Sequence, residues 1–208
     1  MHKNGTNVIF ANNQFDMAVT SEVKDKVDAL ESDIIFSYRD LNLPADRSEA
    51  VKKALYRMVR EGIIEKYSKG RFYKPGTPGS GKMEPGREEV IKDLLIKDGK
   101  RVGYVTGYEI FYQFALTTQK PDFIQIGARG RKTKKQRGTY SIVFLFQRNE
   151  ITEENIPFLQ LLDVIKLIKT IPETNIDRSC VRLQHVLKEL DKDDVGQIIG
   201  LAKNYPPG

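Results

Sequence analysis

An α+β fold in two parts is expected from three features of the sequence. Apolar residues recur at helical spacing until Gly62 and then give way to short β-leaning runs. A Gly- and Pro-rich break lies near residue 80, and beyond it strand-like and helix-like segments alternate irregularly. The expected divisions are an arm over 1–16, a first domain over 17–75, a linker over 76–86 and a mixed α/β domain with a small sheet and several helices over 87–208.

The first 16 residues are Asn-rich and weakly patterned, which predicts a mobile arm. From Met17 the apolar positions Val19, Val23, Val27, Leu30 and Ile34 follow helical spacing. The segment Phe36–Leu41 reads as a short helix and is followed by a turn at Pro44. Asp46 stands three residues before Glu49, the spacing of a capping box, so a second helix is predicted from Arg47 to Glu61, ending at Gly62. Ile63–Tyr67 and Arg71–Pro75 flank Ser-Lys-Gly and predict a hairpin. Helix, short helix, turn, helix and hairpin are the order of a winged helix-turn-helix, in which the last helix enters the major groove.

Residues 75–86 cannot sustain regular structure. Gly76, Gly81 and Lys82 imitate part of a phosphate-binding P-loop, but Met83 stands where a Mg²⁺-binding hydroxyl belongs and Pro85-Gly86 where a helix should run. The second domain is predicted to hold a helix over 87–97 and a strand over 103–107 leading into an aromatic helix, Tyr108–Leu116. Two strands, 122–128 and 139–146, are joined by a basic segment. A strongly apolar helix opened by Thr152 follows. The next carries a stripe of Ile176, Cys180, Leu183, Leu187 and Leu190, and a last helix covers 193–204.

Net charge is +6, and the run 129–137 supplies all of it; the other 199 residues balance to zero. Such a local patch points to nucleic acid. One cysteine and two histidines, His2 and His185, argue against a disulfide, a metal centre or a cofactor held by such residues. No secretory leader or membrane span is legible, so a cytoplasmic location is expected.

The helix over 47–61 has two faces. Val51, Ala54, Leu55, Met58 and Val59 share one, while Lys53, Tyr56, Arg57 and Arg60 project from the other with Lys52 on the flank. Arg47 and Ser48 occupy the end that usually reaches base edges. Lys69 and Arg71 stand at the hairpin tip, where a wing meets phosphates, and Tyr38 with Arg39 lies near the turn. Double-stranded operator DNA is therefore the expected partner.

Within the basic segment, Arg129, Arg131, Lys132, Lys134, Lys135 and Arg137 read as a hairpin tip between the two strands. It suits a second DNA contact, an RNA contact or a patch for an acidic protein; the alternative to a gene regulator is an RNA- or protein-binding module acting through this loop. No catalytic constellation is visible, and no enzymatic activity is expected. Asp163 and Asp177 read as solvated or capping acids, and Cys180 as a core residue.

Residues 36–75, with GYVTGYEIFYQFALTTQKP (103–121) and ITEENIPFLQLLDVIKLIK (151–169), resemble the AbiEi-type antitoxins, bacterial regulators of type IV toxin–antitoxin and abortive-infection systems. That resemblance implies a winged-helix repressor of the antitoxin–toxin operon, with Arg47–Glu61 as recognition helix and Ile63–Tyr73 as wing. It also implies a C-terminal domain that counteracts a nucleotidyltransferase-like toxin, whose neutralising residues no motif here identifies.

Overall fold

The computed structural model describes residues 5–76, 84–130, 133–171 and 174–206, with side chains from Met17 onward. The chain divides into two compact units, Met1–Val90 and Ile91–Gly208, and its architecture is α+β. Residues 77–83, and with them the Gly81-Lys82-Met83 portion of the P-loop look-alike, lie outside the described residues.

Helix α1 spans Gly5–Asp28. Its buried stripe is Val19, Val23 and Val27. Residues 5–16, expected as an arm, are part of this helix: once an anchored helix exists, each added residue gains a backbone hydrogen bond without a new nucleation cost.

Strand β1, Ile35–Ser37, occupies the start of the segment expected as a short helix. Two further strands, β2 (Glu65–Ser68) and β3 (Arg71–Tyr73), form the expected hairpin. Its register slips between Lys66 and Ser68. Gly70 takes φ 72° in the turn, a conformation costly for any residue with a Cβ. All three strands pair antiparallel in the order β1-β3-β2. Pairing with the hairpin explains the conversion of Ile35–Ser37: an edge of β3 was open, and Phe36 buries its ring 6.2 Å from that of Phe72.

Helix α2 runs Ser48–Arg60 behind a 3₁₀ turn, Ala45–Arg47. Asp46 is not the N-cap. The chain becomes helical already after Pro44, whose carbonyl accepts the Arg47 N–H at 3.0 Å, so Asp46 sits inside the turn and Arg47 is the residue before α2. The C-terminus is as expected. Ile63 N–H donates to the Met58 carbonyl at 3.0 Å and Gly62 N–H to Val59 at 3.2 Å, the paired bonds of a Schellman stop. Val51, Ala54, Leu55 and Met58 join the α1 stripe, Phe36, Leu41, Ile64 and Phe72 in one core, with Val59 at its edge.

Helix α3, Arg87–Leu95, ends two residues earlier than expected. Ile96–Lys97 (β4) and Lys100–Arg101 (β5) form a small hairpin through Asp98 (φ 50°) and Gly99 (φ 73°). Two positive φ angles at Asp-Gly are the signature of a tight hairpin turn.

The second unit's main sheet has four strands: β6 (Gly103–Thr106), β7 (Phe123–Ala128), β8 (Lys135–Arg137) and β9 (Tyr140–Phe146). Their order is β6-β7-β9-β8, with β7 and β9 parallel and the outer pairs antiparallel. The basic segment is thus not a hairpin tip between β7 and β9. Parallel neighbours need a connection that returns along the sheet, and part of that connection, Lys135–Arg137, pairs as an edge strand of its own.

Helix α4 is only Tyr108–Gln113, shorter than expected, and Ala115 just beyond it takes φ 51°. Helix α5, Ile156–Leu167, starts after Asn155; Thr152 and Asn155 exchange side-chain-to-backbone hydrogen bonds at 2.9 and 3.4 Å. It is central as expected, burying Leu159, Leu161, Leu162 and Val164. Helices α6 (Ile176–Lys188) and α7 (Lys192–Ala202) complete the unit. The α6 stripe is turned from its expected face: Ser179, Leu183, Val186 and Leu187 face inward, while Ile176 and Cys180 are exposed. Leu183 and Leu187 fit both faces, so spacing alone could not choose between them.

Candidate nucleic-acid interface

At about 100° per residue, Lys53, Tyr56, Arg57 and Arg60 fall within one arc of α2, opposite its buried side. All four are exposed. Glu49, read from the sequence only as a capping-box residue, lies on the same arc and is exposed too. It is paired with Lys52 at 2.7 Å, and that ammonium holds its carboxyl below the usual range. The two charges of this pair largely cancel for any external anion.

Arg57 reaches back to the Thr20 hydroxyl at 3.4 Å, and Arg47 pairs with Glu22 of α1 at 3.2 Å. Both contacts are partly exposed and tie the cationic face of α2 to the solvent side of α1. Exposed pairs of this kind are weak, of order ~0–1 kcal/mol, so phosphate can compete for them. Ser48 is half-buried at the head of α2.

Beside that head, Tyr38 is flanked by two cations. Arg39 donates to its phenol at 3.2 Å, and Lys52 lies 5.0 Å from its ring centre. The Arg39 guanidinium holds the phenol below its usual range. Tyr38, Arg39, Asn42, Pro44 and Ser48 border a groove of about 400 Å³.

Lys69 is exposed in the hairpin turn, while Arg71 is half-buried and already has a partner. Sequence reasoning missed Lys66. It is exposed on β2 and brings its ammonium 5.9 Å from the Tyr56 ring, which in turn meets Phe72 edge-on at 5.6 Å. Lys66 therefore extends the α2 face onto the hairpin. Its alternation with half-buried Glu65 and Tyr67 was the available signal.

In the second unit Arg129, Lys134 and Lys135 are exposed, and Arg131 and Lys132 lie outside the described residues. Arg137 does not belong with them. It is 14% exposed and makes a two-pronged contact with Asp93, one prong between NH2 and Oδ2 at 3.0 Å. A forked guanidinium–carboxylate pair of this geometry is strong, so Arg137 fastens β8 to α3.

Asp163, expected as a solvated acid, is 5% exposed. The hydroxyls of Tyr104 and Thr106 donate to its Oδ2 at 2.7 Å each, and that of Tyr205 to its Oδ1 at 2.8 Å. Gln147 Nε2 donates to both phenols at 2.8 Å. Burial raises the carboxyl above its usual range, against the three hydroxyls that favour its charged form. Burial pushes both phenols up as well. The network is a clasp holding the C-terminal Tyr205 to α5 and β6.

Taken residue by residue, this is a two-unit α+β protein whose first unit offers an outward cationic helix face beside a hairpin. The chain belongs to the Family of unknown function (DUF6088), whose model matches residues 22–195. No curated protein matches it. Among the described residues no helix is long and apolar enough to cross a membrane.

Proposed function

We propose that the first unit is a winged helix-turn-helix and that the protein is a DNA-binding transcriptional repressor. In this reading α1 supports, α2 enters the major groove of operator DNA, and β2-β3 is the wing. One observation carries the proposal: α2 buries Val51, Ala54, Leu55 and Met58 while exposing Lys53, Tyr56, Arg57 and Arg60 on the reverse. A helix so divided projects charge without disturbing its core. On this reading Arg57 and Arg60 would contact the groove, and Lys53, Lys66 and Lys69 the backbone phosphates. Arg39 and Ser48 would meet phosphate at the head of the helix.

Repression of the protein's own operon, and action against a nucleotidyltransferase-like toxin through the second unit, are the part of the proposal that rests on resemblance to the AbiEi-type antitoxins. It is supported by the stretches 36–75, 103–121 and 151–169.

Fluorescence anisotropy with a duplex covering the region upstream of the protein's own gene tests the DNA reading. Wild type should bind specifically, and Lys53→Ala/Arg60→Ala should bind at least about tenfold more weakly, as expected for the loss of one groove and one phosphate contact. Equal affinity in the double variant would remove α2 as the reading element.

A second reading has its own observation. Arg129, Lys134 and Lys135 are exposed in the second unit, and none of the three forms an ion pair with an acid among the described residues. An RNA or acidic protein bound there would survive the α2 substitutions and be lost on neutralising these three residues.

A further inference from the structure

In the second unit, residues 115–118 and 174–182 enclose a pocket of about 390 Å³, large enough for a small ligand. Its polar wall is built from Thr117, Thr118, Asn175, Arg178, Ser179 and Arg182. The floor is the first turn of α6, a helix of 13 residues. The opening N–H groups of a helix have no carbonyl one turn back to accept them, and they favour an anion.

Several of these groups are committed to shaping the wall. The Thr174 hydroxyl donates to the Leu116 carbonyl, and Arg182 Nε to the Phe114 carbonyl at 2.5 Å. Asn175 Oδ1 caps α6 by accepting the Arg178 N–H at 3.0 Å, and Thr117 Oγ accepts the Gln119 N–H at 3.2 Å. These bonds fix the loop after α4 against the head of α6.

Ser179 is different. It is 4% exposed, it lines the pocket, and its hydroxyl makes no hydrogen bond among the described residues. A helical serine that is nearly buried would ordinarily return its hydroxyl to a carbonyl in the preceding turn. Here the hydroxyl instead borders a cavity whose other contributions are two guanidiniums and threonine hydroxyls. Among the described residues no carboxylate lines the pocket; Asp177 is in the same turn of α6 but outside the lining. A wall made of donors, two of them charged and forked, matches a ligand made of acceptor oxygens.

We propose that this pocket binds the phosphate group of a small phosphorylated ligand, with Arg178 and Arg182 clamping the anion and the Ser179 hydroxyl donating to it. Free phosphate and the phosphate of a mononucleotide share this chemistry, and the test separates them. The proposal stands apart from DNA binding by the first unit.

Full-length protein is titrated by calorimetry with inorganic phosphate and, separately, with adenosine 5′-monophosphate. Saturable one-site binding with Kd at or below about 1 mM is expected for at least one of them. Binding by the nucleotide alone identifies a nucleotide pocket; binding by both identifies phosphate as the determinant. Arg178→Ala should weaken binding about tenfold or more, and Ser179→Ala severalfold. The serine variant removes a single hydroxyl and is expected to fold, which circular dichroism verifies. No saturable binding of either compound, or affinities unchanged in both variants, would overturn the assignment.

Discussion

The carboxylate of Asp163 accepts the phenolic hydrogen of Tyr104 at 2.7 Å, and both residues are almost wholly buried. The bond joins the centre of α5 to β6, and the same carboxylate receives Thr106 and Tyr205. Buried polar networks of this kind are costly when incomplete. Replacing Asp163 by Leu strands three hydroxyls and should destabilise the protein by ~3–5 kcal/mol, whereas Asn, which keeps one acceptor oxygen, should cost ~1–3 kcal/mol. Urea denaturation followed by tryptophan-free far-UV circular dichroism measures both.

The pH dependence of that site follows from the direction of its shift. The folded-state carboxyl titrates above its unfolded value, so between the two the folded state holds more protons than the unfolded chain. Its contribution to stability is therefore complete below the unfolded value and is lost as pH rises through the folded one. Relative to Asp163→Asn, wild type should lose stability as pH is raised through that interval. A wild-type-minus-variant difference that stays flat across the acid range would show that Asp163 is not shifted.

Arg137 and Asp93 should be coupled. With the guanidinium 14% exposed and forked onto the carboxylate, a double-mutant cycle of Arg137→Ala and Asp93→Ala should return ~1–3 kcal/mol of interaction. DNA affinity should be unaffected by Arg137→Ala. A substantial loss of DNA binding in that variant would return Arg137 to the binding surface.

Two glycines should respond to alanine for different reasons. At Gly127 an added Cβ would stand 2.4 Å from Cζ of the buried Tyr104 ring, so Gly127→Ala must displace the clasp and should cost ~1–3 kcal/mol or more. At Gly62 nothing lies within 4 Å, but φ is 74°, and Gly62→Ala should cost ~1 kcal/mol from backbone conformation alone. Thermal melts of the pair, with near-UV circular dichroism to report the Tyr104 environment, separate the two causes: only Gly127→Ala should change the aromatic signal.

The proposed binding of DNA by α2 predicts a salt signature. Affinity should fall steeply with ionic strength, and each of Lys53, Lys66 and Lys69 that neutralises a phosphate should flatten the slope of log K against log salt by ~0.9 when replaced by alanine. Slopes unchanged in all three variants would place the phosphate contacts elsewhere.

Cys180 is exposed on α6, so a thiol reagent should label it in the native protein without denaturant. Labelling that requires unfolding would return Cys180 to the core stripe expected from spacing.

Sequence periodicity by itself determined α1 from Met17 onward, α2 with its two faces, the stop at Gly62 and the hairpin, because each is set by neighbours within a few residues, whereas the helical residues 5–16 and strand β1 were not legible. Apolar spacing of 3 and 4 leaves a helix only one inward face when the pattern is clean, as at Val51–Met58. Where the pattern is ambiguous, as on α6, tertiary packing chose Ser179 over Cys180. Long-range pairing was likewise invisible: the parallel β7–β9 register, the capture of Arg137 by Asp93 and the burial of Asp163 each depend on residues tens of positions apart. A charge carries no mark in the chain of whether water or a partner will surround it. Only the folded structure, which fixes how much solvent each group keeps, separated the cations that remain outward on α2 from those already spent within the protein.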